Sequence, residues 1–79
     1  MNRNAEIIAD VLSELKIATA KYKSFNSPHE GLSVLQEEVE ELKAEVYNRR
    51  SFFNPHTAYA EAVQVAAMAI RFAQDCCDG

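Results

Sequence analysis

The amino-acid sequence predicts an all-α protein with three main helices, and three observations indicate this class. The 79 residues include only two glycines and two prolines, too few for a turn-rich β protein. Apolar residues make up 48% of the chain and recur at steps of three and four. Each proline follows a residue that commonly caps a helix, Ser27 before Pro28 and Asn54 before Pro55. We expect one domain over residues 1–79, too small to close a large core by itself.

The first helix is predicted from about Asn4, its candidate N-cap, to about Phe25. Glu14 falls outside the apolar stripe of this helix and is expected to face water. Tyr22 and Phe25 have two open interpretations: core packing, or stacking on a base with Lys21 or Lys23 near a phosphate. The apolar stripe consists of Ile8, Val11, Leu12, Leu15, Ala18, Tyr22 and Phe25.

The second helix has the clearest start in the chain. Ser27, Pro28 and Glu30 supply an N-cap hydroxyl, a first-turn proline and a capping-box carboxylate. We predict that the helix ends near Tyr47 or Arg49. Its apolar seam, which we expect to be buried, consists of Leu32, Leu35, Val39, Leu42 and Val46.

A row of glutamates lies directly beside this seam. At about 100° per residue its members share one wedge of the helix, and they are Glu30, Glu37, Glu38, Glu41 and Glu45. Like charges one turn apart repel each other, so a cation bound on the row would stabilise it. Oxygen ligands suit Mg²⁺ or Mn²⁺ rather than Zn²⁺, which favours histidine and cysteine. The alternative is a solvated glutamate face with Lys43 as its partner.

The third helix, predicted from about Pro55 to Asp75, is apolar around nearly its whole circumference. Two other helices cannot surround such a helix, so we expect a homodimer or tetramer whose interface completes a helical bundle. Arg71 and Asp75 are predicted to pair with each other at i,i+4. Glu61 has no cation one turn away, so it needs a metal or another partner.

Composition and charge narrow the range of partners. No apolar run approaches the ~20 residues that span a membrane, and no leader precedes the first helix, so we expect a soluble cytoplasmic protein. The formal charge of −4 argues against binding of a nucleic-acid polymer. Cys76 and Cys77 are adjacent and are expected to remain reduced thiols.

Two glutamate motifs on successive helices resemble those of a known family. Residues 37–41 read E-E-V-E-E, which matches E-E-x-x-E, and residues 61–64 read E-A-V-Q, where that family has E-x-x-D. In these motifs and the apolar runs around them, the chain resembles the MazG-like all-α nucleoside triphosphate pyrophosphohydrolases, especially the short phage and bacterial members. The family shares its helical fold with the dimeric dUTPases. The resemblance covers about residues 27–73.

This resemblance implies an activity and a set of site residues. The family splits a nucleoside triphosphate between the α and β phosphates, which releases pyrophosphate and a nucleoside monophosphate. By position, Glu38, Glu41 and Glu61 would bind Mg²⁺ or Mn²⁺. Glu37 would orient or deprotonate the attacking water. Gln64 stands where the family has aspartate, and its amide oxygen can coordinate a metal but brings no charge.

Three cations are candidates for binding the phosphates of such a substrate. Arg49 and Arg50 follow the second helix and lie near the acidic row, while Lys21 lies at the end of the first helix. The alternative for the two arginines is that they only complement the helix dipole.

Two other function classes remain open on the sequence. A non-catalytic relative would bind nucleotides or assemble as a helical dimer around a degenerate metal site, an interpretation that Gln64 favours. An interaction module would instead dock its third helix on another protein, with the glutamates as a solubilising surface.

Overall fold

The structure, a computed structural model, describes residues 2–48 and 52–77 and contains three α-helices. Helix α1 spans Arg3–Lys21, α2 spans Pro28–Val46 and α3 spans Pro55–Cys76. The described residues form no β-strand, so the predicted all-α class and its three helices are confirmed. Within these ranges no helix combines the length and the apolar character that a membrane crossing demands.

Side-chain caps define where each helix begins. Asn2 Oδ1 accepts a hydrogen bond from the Asn4 amide at 2.8 Å, so Asn2 caps α1 and the prediction of Asn4 as the cap is wrong. Ser27 and Asn54 cap α2 and α3 as predicted, each accepting a hydrogen bond from an amide in the first turn. The proline that follows each of these two caps has no amide hydrogen to leave unpaired there.

Helix α1 ends at Lys21, before the predicted end at Phe25, because Tyr22 has extended backbone angles of φ −119° and ψ 148°. Two side chains of α3 hold the connection that follows, residues 22–27. Arg71 Nη2 donates to the Lys23 carbonyl at 2.9 Å, and Asp75 Oδ2 accepts from the Phe25 amide at 3.1 Å.

The predicted ion pair between Arg71 and Asp75 is therefore wrong. Each side chain instead bonds to a backbone group of the connection. An extended connection leaves its amides and carbonyls without helical partners, and these two side chains supply the missing bonds.

Helix α3 lies between the other two helices and packs against both, whereas the described residues of α1 and α2 do not pack against each other. Helix α1 runs parallel to α3, and α2 runs antiparallel to it. This arrangement leaves a cleft between α1 and α2, with α3 as its floor. The contacts that define these directions are Tyr59 with Asp10 and Arg71 with Lys23 for α1, and Thr57 with Glu45 and Phe72 with Gly31 for α2.

The core is thin, because one layer of helices has only one side to bury. The chain measures 42 × 32 × 19 Å, so the three helices form a slab whose shortest dimension is 19 Å. The buried side chains of this core are Val11, Leu15, Ala18, Val63, Ala67 and Met68.

The face of the slab opposite the cleft is apolar and uncovered. On α2, Leu32, Val39 and Val46 are 46%, 44% and 50% exposed, so the seam expected to be buried is only partly so. We call this surface the back face. It consists of Ile8 and Leu12 of α1, Ala62, Ala69 and Ala73 of α3, and Leu32, Val39 and Val46 of α2.

Candidate metal centre and the adjoining cleft

Three carboxylates from two helices converge at one end of the cleft. Glu38 and Glu41 lie one turn apart on α2, and Glu61 reaches them from the antiparallel α3. One oxygen of each carboxylate lies within 4.8 Å of the other two. The structure thus brings together the three glutamates that the resemblance implies as metal ligands, and we call them the glutamate cluster.

Burial and crowding raise the pKa of two members of the cluster. Burial raises the pKa of Glu38 to about 7, and the charge of Glu41, a hydrogen bond with Glu41 and the charges of Glu61 and Glu37 add to the effect. The pKa of Glu61 is also raised, first by burial and then by a hydrogen bond with Glu41 and its charge. When ionised together these carboxylates repel each other, and a bound cation relieves that repulsion.

The cluster contains a buried oxygen with no donor. Glu61 Oε2 accepts no hydrogen bond from the described part of the chain. Its neighbour Glu45 is engaged elsewhere, because Thr57 Oγ1 donates to Glu45 Oε2 at 2.7 Å. In residues 2–48 and 52–77 no cationic nitrogen lies within 4.0 Å of the cluster, and Lys43 forms no ion pair with it. A divalent cation would satisfy the unpaired oxygen.

The donor set fits a hard cation. It consists only of carboxylate oxygens on two helices, and the described residues add no histidine or cysteine to it. Mg²⁺ and Mn²⁺ prefer such oxygen ligands, whereas Zn²⁺ sites are built mostly from histidine and cysteine.

Glu37 is exposed beside the cluster. It lines the cleft next to Glu38, and its charge contributes to the raised pKa of that residue. Its carboxylate is therefore accessible to water at the edge of the cluster, which the predicted water-orienting role requires.

Gln64 lies one turn after Glu61 and bonds to α1. Its Nε2 donates to Glu14 Oε2 at 2.7 Å, and both side chains are half-buried in the wall of the cleft. The expectation that Glu14 faces water is wrong, because α1 packs on α3 with this residue turned toward the cleft. The available sequence signal was its place at the edge of the apolar stripe, one turn from Val11 and Ala18. Metal coordination by Gln64 stays a prediction.

The cleft has a volume of about 580 Å³, within the usual range of small-molecule sites. Its middle is apolar, formed by Ile17, Val34 and Met68. Lys21, one of the predicted phosphate ligands, lines it as well. The other two, Arg49 and Arg50, lie outside the described residues.

Tyr22 and Phe25 also line the cleft. Tyr22 is exposed and Phe25 is half-buried, so neither belongs to the core of the described chain. Their stacking on a base stays a prediction.

Comparisons with protein-family models, with curated proteins and with solved structures give no match to this chain. The features of the chain that bear on its function are the glutamate cluster, the cleft beside it and the motifs that supply their residues.

Proposed function

We propose that this protein is a Mg²⁺-dependent nucleoside triphosphate pyrophosphohydrolase. The observation that carries the proposal is the glutamate cluster, in which Glu38, Glu41 and Glu61 meet beside a nucleotide-sized cleft. Glu61 keeps a buried oxygen without a donor there. Carboxylates bind an anionic triphosphate only through cations, so an acidic cluster beside a ligand cleft suits a substrate that arrives with a metal. The motifs that supply the cluster resemble those of the MazG-like family.

Each residue of the site has a separate role in the proposed reaction. The glutamate cluster holds Mg²⁺, or Mn²⁺ as an alternative. When bound, the cation neutralises charge on the phosphates and lowers the pKa of a coordinated water. Glu37 orients the attacking water and accepts its proton. Arg49 and Arg50 are assigned to the phosphates. Lys21 lines the other end of the cleft, where it would contact the rest of the substrate. The products are pyrophosphate and a nucleoside monophosphate.

Gln64 is the point at which the chain departs from the E-x-x-D pattern. Its amide carries no charge, but it bonds to the Glu14 carboxylate at 2.7 Å. A negative group therefore remains at this place in the cleft wall, which supports activity in spite of the substitution.

The proposal includes a homodimer or tetramer that covers the back face and a cytoplasmic location. The exposed alanines of α3 permit close approach of a second helix. Burial of Leu32, Val39 and Val46 in an interface would complete the core that a slab 19 Å thick leaves open.

The test of the activity is pyrophosphate release from a panel of canonical and modified nucleoside triphosphates with Mg²⁺. We expect Glu38→Gln and Glu41→Gln to lower turnover at least about 100-fold, because each removes a charged ligand. Glu40→Gln is the matched control, since Glu40 is exposed on the same helix outside the cluster. Circular dichroism checks that all variants remain helical. Equal turnover by the Glu38 and Glu40 variants would contradict the assignment.

The second candidate is a non-catalytic relative that binds nucleotides or serves as a helical dimer. The bond between Gln64 and Glu14 favours it, because an amide held by α1 is less available to a metal. Calorimetry with Mg²⁺ and a non-hydrolysable triphosphate separates the two candidates. Binding by a protein that releases no pyrophosphate supports the second.

A further inference from the structure

The end of the cleft away from the glutamate cluster is rich in hydrogen-bond donors. Lys21, Lys23 and Arg71 line it together with the rings of Tyr22 and Phe25, and we call these five residues the donor pocket. The two lysines are exposed at its rim. Arg71 is only 4% exposed and lies on its floor.

The guanidinium of Arg71 is buried without a carboxylate partner in the described residues. Nη2 donates to the Lys23 carbonyl at 2.9 Å, and Nη1 lies 3.7 Å from the sulfur of Met68, a weak acceptor. Its Cζ lies 4.2 Å from the centroid of the Phe25 ring, a stacking contact that orients the group. Arginine carries five N–H donors, so donors remain for a ligand in the cleft.

The acidic side chains near the donor pocket are already occupied. Glu30 accepts from the amide and the side chain of Asn26 at 3.0 and 3.1 Å. Asp75 accepts from the Phe25 amide at 3.1 Å. The charged groups that remain for a ligand at this end are the N–H donors of Lys21, Lys23 and Arg71, which favour ligand atoms that accept hydrogen bonds.

If the phosphates of a nucleotide bind at the glutamate cluster, the length of the cleft brings its base to the donor pocket. Glu38 and Glu30 line its two ends and are two turns apart on α2, so about 12 Å separates these levels. With the phosphates at the glutamate cluster, the ribose lies over the apolar middle and the base reaches the aromatic rings. Aromatic rings stack on every base, so selection falls to the polar groups, and among the three cations only Arg71 is buried and held in place.

We infer that Arg71 selects nucleoside triphosphates whose base carries an oxo group at C6 of a purine or C4 of a pyrimidine, as hypoxanthine, guanine and uracil do, over adenine and cytosine, which carry an amino group there. This inference rests on the proposed function, since it takes the phosphates to be held at the glutamate cluster. A guanidinium donates well to a carbonyl oxygen, and in hypoxanthine and guanine also to N7 beside it. The amino group of adenine or cytosine would instead set N–H against N–H and leave a buried donor unpaired.

Two matched pairs of substrates test the selection. ITP differs from ATP, and UTP from CTP, by the exchange of an oxo group and the ring N–H beside it for an amino group and an unprotonated ring nitrogen. We expect the full chain with Mg²⁺ to release pyrophosphate with a kcat/KM about tenfold or more higher for the oxo member of each pair. Equal values in either pair, or a preference for the amino member, would overturn the inference.

A loss of all turnover would count against the proposed function and not by itself against base selection. In that case calorimetry with the same four triphosphates decides the second question. Tighter binding of both oxo members supports selection by Arg71, and equal binding within a pair rejects it.

The variant Arg71→Met removes the donors and keeps an apolar side chain of similar length. Arg71 also holds the connection of residues 22–27, and a purely structural loss would lower kcat/KM for ITP and for ATP alike. The readout is therefore the ratio of kcat/KM for ITP to that for ATP within the variant. We expect the ratio to fall close to one. Arg3→Met is the matched control, because Arg3 also lies over an aromatic ring, that of Tyr59, outside the cleft. An unchanged ratio in a folded Arg71→Met overturns the inference, and the wild-type pairs decide it if this variant does not fold.

Discussion

A carboxylate oxygen of Glu61 on α3 lies within 4.8 Å of one of Glu38 on α2, across the packing of two antiparallel helices. The two residues are far apart in the sequence, so only tertiary structure brings them together. Burial and neighbouring carboxylates raise the pKa of both. The contact is unfavourable when both groups are ionised, and we expect a bound cation to offset this repulsion.

We expect the stability of the metal-free protein to fall as the pH rises through neutrality. The pKa of Glu38 is about 7 in the folded chain, against an ordinary value of 4.5. The folded state therefore holds this proton more tightly than the unfolded state does. The stabilisation is complete below about pH 4.5 and is lost as the pH passes about 7. In EDTA, the melting temperature should be roughly 5 °C or more lower at pH 8 than at pH 5.5.

Two control measurements test the origin of this pH dependence. Mg²⁺ should restore the melting temperature at the higher pH, and Glu38→Gln should flatten the profile because it removes the titrating group. If the melting temperature of the metal-free wild type rises from pH 5.5 to pH 8, repulsion within the glutamate cluster does not destabilise the fold.

Glu61→Gln should stabilise the metal-free protein by about 1 kcal/mol and cancel the stabilisation by Mg²⁺. The amide keeps the shape of the side chain, removes one charge from the cluster and can donate to Glu41. The free energy of unfolding, measured by denaturant titration in EDTA and in Mg²⁺, checks both effects. Glu40→Gln should respond to Mg²⁺ as the wild type does. If Mg²⁺ stabilises the Glu61 variant equally well, the ion lies elsewhere.

Gln64→Asp should have opposite effects with and without metal. It adds a carboxylate near Glu61 and breaks the 2.7 Å bond to Glu14, so the metal-free protein should lose about 1–2 kcal/mol of stability. Mg²⁺ should bind more tightly to it. Adding Glu14→Gln should recover part of the lost stability, because an amide can again donate to a carboxylate between the two positions. Unchanged Mg²⁺ affinity would show that position 64 does not face the cluster.

Gly31→Ala should destabilise the packing of α2 on α3. A Cβ atom at Gly31 would lie 2.8 Å from Phe72 Cδ2 and 3.0 Å from Phe25 Cδ2, closer than ordinary contact. We expect the cost of about 1–3 kcal/mol to exceed the gain in helix propensity of about 1 kcal/mol. Thermal unfolding measures the net effect, and Phe72→Leu in the same chain should relieve it. A higher melting temperature for Gly31→Ala alone would show that the rings move aside freely.

Val39→Glu should dissociate the proposed oligomer. Val39 is 44% exposed on the back face, where a charge would be buried by a second copy. Light scattering coupled to size exclusion should give the mass of at least two chains for the wild type and one chain for the variant. Ile17→Glu is the matched control, because Ile17 is also exposed but lines the cleft. A monomeric wild type would remove the oligomer from the proposal.

The sequence predicted those features that depend on neighbouring residues. The caps at Ser27 and Asn54 and the apolar periodicity are local signals, and they gave the three helices close to their observed bounds. Glu38 and Glu41 share a ridge of α2 by helix geometry alone. The meeting of Glu61 with them was implied only by the order of two motifs in a resemblance.

The features that the sequence did not predict depend on contacts between distant residues. Gln64 bonds to Glu14 across 50 positions, and Arg71 bonds to Lys23 across 48. The i,i+4 spacing predicted an ion pair between Arg71 and Asp75, and the metal role of Gln64 was implied only by the resemblance. Both contacts depend on which face of α1 packs on α3. The periodicity of apolar residues does not specify how two helices are rotated against each other.

The most direct test of the central claim, that Glu38, Glu41 and Glu61 hold a divalent cation, is a Mn²⁺ titration followed by the EPR signal of the unbound ion. The wild-type protein and Glu40→Gln are predicted to bind Mn²⁺ with the same affinity, and Glu61→Gln about tenfold or more weakly. No binding by the wild type, or equal affinity in all three proteins, would contradict the claim.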